Sequence, residues 1–232
     1  MLRACIVFLC ATILGPGARA NIIGIDDRKP ISEIYQSLGL DTVDMLRIRQ
    51  TTGFVYCPGT KFGNGLRTSG AAVHDNQVIV TNAHSFVDEQ GRRREPLSEC
   101  YFASQGVVPE VMYFDFSPGN FEMNEHWDAA NDYAVVRLKQ PLVYARAFPV
   151  ADPREIREGR ELILVSAKPR AQIPFSGLEP VAQKCVIMQI FGANPYHNRD
   201  DVFHGDCDIT PGSSGSLGLM LINGRLRAFS TA

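Results

Sequence analysis

The chain has 232 residues, a formal net charge of −2 and only 21% charged residues. That balance carries no polyanion-binding signature and argues against nucleic acid as a partner. The length suits one large domain or two small ones.

Residues 1–20 read as a secretory signal. A basic start at Arg3 precedes an apolar stretch from Ala4 to Leu14, and GPGARA then supplies small residues before a cut after Ala20. The apolar stretch is about eleven residues, too short to cross a bilayer core of roughly 30 Å. Nothing later approaches that length, so no membrane is expected as a partner after signal removal, and the destination is secreted or periplasmic. Residues 21–50 form an N-terminal arm. Within it Ile31 to Arg49 has helix-like spacing, with Ile31, Ile34, Tyr35 and Leu38 on one face, and Gly39 interrupts it. From there short runs rich in β-branched and aromatic residues recur: GFVYC, GAAVH, QVIVTN, EVMYFDF and DYAVVRLK, then ELILVSA, CVIMQIFG, GSLGLMLI and RLRAFSTA. Turn signals at Asp75-Asn76, Pro118-Gly119-Asn120 and Asn223-Gly224 separate them, and the last predicts a hairpin. No GxGxxG turn opens a helix. The pattern is all-β and favours a sandwich or barrels. Pro141 to Pro153 is the join, dividing an N-terminal half at 51–145 from a C-terminal half at 146–232.

Three segments carry candidate chemistry. VIVTNAHSF ends an apolar strand on His84, NDYAVVRL opens another on Asp132, and ITPGSSGS sets Ser213 and Ser214 between glycines. A serine hydroxyl is a poor nucleophile at neutral pH. It needs an imidazole to take its proton and a carboxylate to hold that imidazole in the correct tautomer. Each residue also has a plain structural reading: His84 as a satisfied core residue, Asp132 as a strand terminator, the Gly-Ser-Ser-Gly as a flexible turn. Asp128 is an alternative orienting acid, and Ser213 a rival nucleophile. His74, His126, His197 and His204 take no role. Arg92, Arg93 and Arg94 follow Asp88 and Glu89 and read as a solvated loop.

Two of the six cysteines, Cys5 and Cys10, leave with the signal. Cys57, Cys100, Cys185 and Cys207 remain and suggest two disulfides in an exported protein, with three possible connectivities. Cys57 with Cys100 and Cys185 with Cys207 is the favoured pairing. No CxxC or HExxH spacing occurs, so no metal is expected.

The three segments resemble the chymotrypsin and trypsin family. TNAHSF is similar to its TAAHC, NDYAVVRL to its DIALLKL, and ITPGSSGS to its GDSGGP, in the family's order of His, Asp, Ser. The resemblance covers Ile22 to Ala232. It implies two six-stranded antiparallel β-barrels with the cleft between them, His84 as general base, Asp132 as its orienting acid and Ser214 as nucleophile. Gly212 and Ser214 would supply the oxyanion-hole N–H groups. It implies no cofactor, a protein or peptide substrate and a monomer. Asp208 falls at the position that lies at the base of the specificity pocket, and Ser230 on the strand that pairs with substrate backbone.

The chain also departs from the family. The trypsin pattern has an Asp before the nucleophile, which pairs with a newly cut N-terminus; here that position is Ser213. Ile22-Ile23-Gly24 should therefore not switch the site on by that route, and signal removal alone is expected to mature the chain. The segments IIGIDDRKP and PGSSGS look more like bacterial secreted serine proteases, a group that includes the glutamyl endopeptidases. Where glutamyl-specific relatives use a Thr and a His, this chain has Ile209 and Phe229, which favours basic or broad specificity over strict glutamate specificity. The family continues past the position of Ala232, so the second barrel is expected to be incomplete. The reading is a secreted serine endopeptidase; the alternative is a catalytically silent fold acting as a binding module.

Overall fold

The computed structural model of the chain describes residues 27–58, 66–87, 92–123, 132–167, 179–191, 202–209 and 213–231. Residues 1–20, read from the sequence as a secretory signal, and Ile22-Ile23-Gly24 lie outside them. The arm supplies a short strand β1 (Lys29–Pro30) and two helices, α1 (Ile31–Ile34) and α2 (Thr42–Thr51). The helix-like stretch over 31–49, read as one short helix interrupted by Gly39, is thus two helices on either side of the Gly39 turn. The second helix begins at Asp41, whose carboxylate accepts from Asp44 N (2.8 Å). This is an N-cap, satisfying a donor that has no intrahelical partner.

The N-terminal unit holds β2 (Thr52–Cys57), β3 (Leu66–Ala72), β4 (Val78–Thr81), β5 (Tyr101–Ser104), β6 (Val111–Asp115), β7 (Phe121–Met123) and β8 (Ala134–Leu138). Six of them run in the order β4-β3-β2-β5-β6-β8, and β8 pairs back to β4 through Ile79↔Val136 and Thr81↔Ala134, closing a barrel. β7 adds to the other side of β8. Period-two alternation sets which side chains face the interior: along β8, Ala134, Val136 and Leu138 are buried while Val135 and Arg137 are not. The interior is aromatic. The Phe86 ring meets Phe114 and Phe121 edge-on, with centroids 5.4 and 5.6 Å away, a geometry that matches ring edges to ring faces. Cys57 and Cys100 are disulfide-bonded across the end of the β2–β5 pair.

The C-terminal unit is one antiparallel sheet of β9 (Glu161–Ser166), β10 (Val181–Phe191), β11 (Val202–Gly205), β12 (Leu217–Ile222) and β13 (Arg225–Thr231) with β1 of the arm. The path is β1-β10-β9-β12-β13, and β11 also pairs β10. It does not close among the described residues, so it is a half-barrel, and the architecture is the two-barrel one with an incomplete second barrel. Asn223 (φ 50) and Gly224 (φ 73) make the expected two-residue turn between β12 and β13, since both central positions of that turn need positive φ. Cys185 is disulfide-bonded to Cys207. Strands β1, β5, β7 and β11 were not anticipated, and β10 begins earlier than its apolar run.

Ile31 and Ile48 of the arm pack with Phe148, Val165, Leu217 and Leu219 in the core of the second sheet. The join runs between the units, giving Phe148 O to His74 N (2.9 Å) and Ala151 N to Ala228 O (2.7 Å). No helix among the described residues is long and apolar enough to cross a membrane.

Candidate active site

Barrel closure creates the first half of the site. Beyond Thr81 the chain leaves β4 in a 3-10 turn, Ala83–Ser85, whose outer residues are buried while the His84 side chain between them is 22% exposed. Asp132 stands two residues before β8, and because Ala134 pairs Thr81, it arrives beside that turn. Asp132 Oδ1 accepts from His84 N (3.0 Å), and Oδ2 lies 2.5 Å from His84 Nδ1. Asn82 Nδ2 donates to Asp132 O (2.8 Å) and to Oδ2 (3.2 Å). A carboxylate only accepts, so Nδ1 must be the ring donor. The neutral imidazole is then held with a bare lone pair on Nε2, ready to receive a proton.

The second half is the turn that opens β12. Ser216 N donates to Ser213 O (2.8 Å), and Ser216 Oγ donates to the same carbonyl while meeting Ser166 Oγ of β9 (2.6 Å). The Ser214 carbonyl accepts from Ser69 N of β3 (2.6 Å). Ser69 O in turn accepts from Thr81 Oγ1 (2.6 Å), three residues before His84. Gly215 (φ 80) allows this approach: a Cβ there would stand 2.0 Å from Ser69 O and 2.6 Å from Thr81 Oγ1. No side chain fits that gap, and the positive φ disfavours one independently. The Ser69 hydroxyl also exchanges hydrogen bonds with Ala167, accepting from its N (3.0 Å) and donating to its O (3.3 Å). The serine turn is therefore packed against the strands from which His84 hangs, at the seam of the two units.

The two candidate nucleophiles differ in surroundings. Ser213 is 2% exposed, and its Oγ accepts from Arg28 Nη1 at 3.0 Å. Ser214 is half-buried.

Asp208 is 3% exposed. Its Oδ2 accepts from Asp27 N (3.2 Å), and its main chain is locked to Gln183, with Asp208 N donating to Oε1 (3.0 Å) and Gln183 Nε2 donating to Asp208 O (2.6 Å). Ser230 lies on β13 opposite Gly218. Among the described residues that strand ends the sheet's path, and it is bridged at Ala228 by the join. Gly212, Asp128, His126 and His197 lie outside the described residues. Among the described residues no three His, Cys, Asp or Glu side chains gather as a metal would need.

Sequence reasoning missed the supporting polar residues. Thr81, Asn82 and Ser216 lie inside the quoted motifs and could have been named from them. Ser69, Ser166 and Arg28 carry no local signal, because their roles come from contacts between distant segments.

A family model of the trypsin-like peptidase domain matches residues 68–226, from β3 to β13. Among solved structures, the crystal structure of a thermostable serine protease, AL20, from an extremophilic microorganism superposes with a TM-score of 0.56. Its sequence is 19% identical, and the match covers 79% of this chain and 84% of that one, a likeness of fold. A search of curated proteins found no match. The family match spans well over half of the sequence and contains His84, Asp132 and Ser214 in the expected order; the chain belongs to the trypsin-like peptidase domain family.

Proposed function

We propose that this chain is a secreted serine endopeptidase that works through an acyl-enzyme on Ser214. Ser214 Oγ attacks the substrate carbonyl carbon while its proton passes to His84 Nε2. The carbonyl oxygen becomes an oxyanion, which accepts from the N–H groups of Gly212 and Ser214; one such donor is typically worth roughly 3 to 4 kcal/mol in the transition state. The intermediate collapses, the C–N bond breaks, and His84 returns the proton to the departing amine. Water then enters, gives a proton to His84, attacks the ester carbon and releases the acid, restoring the Ser214 hydroxyl. Asp132 remains ionised throughout and stabilises the imidazolium that forms in each half-reaction. No cofactor is required.

The observation that carries this reading is the carboxylate of Asp132 accepting from both the main-chain and ring N–H of His84. A residue that merely ended a strand would not need to grip one particular histidine twice. The two disulfides fit an oxidising, exported setting.

Substrate backbone would pair with β13 around Ser230, beyond the stretch bridged by the join. Asp208 is already engaged by the arm through Asp27 N, which favours broad specificity over a strict demand for Lys or Arg. A panel of chromogenic peptides varied at the residue before the cleaved bond tests both claims. The expected result is turnover of several residue types by the wild type and none by Ser214→Ala. Cleavage after Glu only would overturn the specificity proposal, and equal turnover by Ser214→Ala the mechanism.

A further inference from the structure

We infer that Arg28 is a positioning residue for the nucleophile turn, supplying from a side chain the cation that the trypsin pattern takes from a freed N-terminus. The inference rests on the peptidase reading above. Arg28 is only 8% exposed, and a guanidinium taken that far out of water is costly unless its donors are engaged. Its Nη1 donates to Ser213 Oγ at 3.0 Å, across 185 residues of sequence.

The direction of the side chain is set by backbone anchored on both sides. Before it, Asp27 N donates to Asp208 Oδ2 (3.2 Å), and Asp208 is tied by its main chain to Gln183 and neighbours the Cys185–Cys207 disulfide. After it, Lys29 and Pro30 pair with Ala182 and Val181 of β10, Ile31 N donates to Pro180 O (3.0 Å), and the Ile31 side chain is fully buried.

At the far end, Ser213 is the hinge of the turn. Its carbonyl accepts both the N–H and the hydroxyl of Ser216, and the next residue is Ser214. Fixing Ser213 therefore fixes the peptide that carries the Ser214 N–H. A neutral Ser213 cannot form the ion pair of the trypsin pattern, but its hydroxyl can accept from a guanidinium, and such a charge-assisted bond is about twice as strong as a neutral one. The cation belongs to a side chain, so it exists before any cleavage, and no free α-amino group is needed to order the turn.

Rates of fluorophosphonate labelling test this in the full chain expressed with its own leader. Arg28→Met keeps bulk but no donor, and Arg28→Lys keeps a cationic donor. Arg28→Met should label roughly ten- to a hundred-fold more slowly than wild type, the loss expected from one buried hydrogen bond to a charged group. Arg28→Lys should recover much of that rate, and Ser213→Ala should be slow by a similar factor and no slower when combined with Arg28→Met. Arg28→Met labelling at the wild-type rate, or no slower than Arg28→Lys, would overturn the inference. If Arg28→Met does not fold, as judged by near-UV circular dichroism, Ser213→Ala alone decides: slow labelling supports the inference, and the wild-type rate refutes it. A wild type that takes up no probe would instead remove the peptidase reading.

Discussion

His84 is held by two separate hydrogen bonds, main-chain and ring, to one carboxylate, and Asn82 donates both to the oxygen the ring meets and to the Asp132 main-chain carbonyl. Because a carboxylate has no proton to offer, this arrangement admits a single neutral tautomer. Asp132→Asn would keep the shape but replace one acceptor oxygen with a donor, so the ring would settle with its proton on Nε2. The fold and thermal midpoint should be little changed while kcat falls by roughly 10⁴-fold, as in the family's template triad. Steady-state assays on the purified variant check this; a loss under about tenfold would mean that Asp132 does not orient the base. The candidates His84, Asp132 and Ser214 could be singled out in the sequence because each sits in a short string whose pattern is local, and the structure pairs the first two. Ser69 and Arg28 were not, since nothing near either residue indicates its partner some 145 or 185 residues away.

At the scale of elements, the β4–β8 pairing and the Ser213–Ser216 turn do the assembling. One brings Asp132 to His84; the other presses the serine turn onto β3 and β4. Gly215 is the closest point of that contact. Gly215→Ala should cost at least about 2 kcal/mol from the positive φ and the collision with Ser69 O, lowering the thermal midpoint and greatly slowing probe uptake. Gly224→Ala is the natural comparison, because it also has positive φ but a Cβ there meets nothing within 4 Å. It should cost only about 1 kcal/mol and leave activity intact, and equal effects at the two sites would contradict the close approach. The longer strands were legible through alternation, as in β8, or a turn signal, as in the β12–β13 hairpin. β7 has three residues and β5 four, too few for periodicity to distinguish them from loop. They are strands because neighbouring strands supply partners for their main-chain groups.

Across the whole molecule, each disulfide serves one unit. Cys57–Cys100 spans 43 residues of the closed barrel, and Cys185–Cys207 spans 22 residues of the half-barrel beside Asp208. By loop closure each contributes about 3 to 4 kcal/mol, or roughly 10 °C in thermal midpoint for a protein of this size. Their functional weight should differ. Removing Cys57–Cys100 as a double alanine variant should lower stability without slowing the folded enzyme, because its barrel is closed by paired strands. Removing Cys185–Cys207 should do both, since it loosens the segment that anchors the arm at Asp27. Calorimetry together with labelling rates at a temperature where both variants are folded separates the two effects, and equal labelling rates would sever the proposed link from disulfide to nucleophile turn.

The most direct measurement is mass-spectrometric mapping of the adduct formed when the wild-type chain meets a fluorophosphonate. A single adduct is expected, carried by Ser214, absent from Ser214→Ala and formed far more slowly in His84→Ala. A folded chain that takes up no probe, or one whose adduct maps to Ser213, would contradict it.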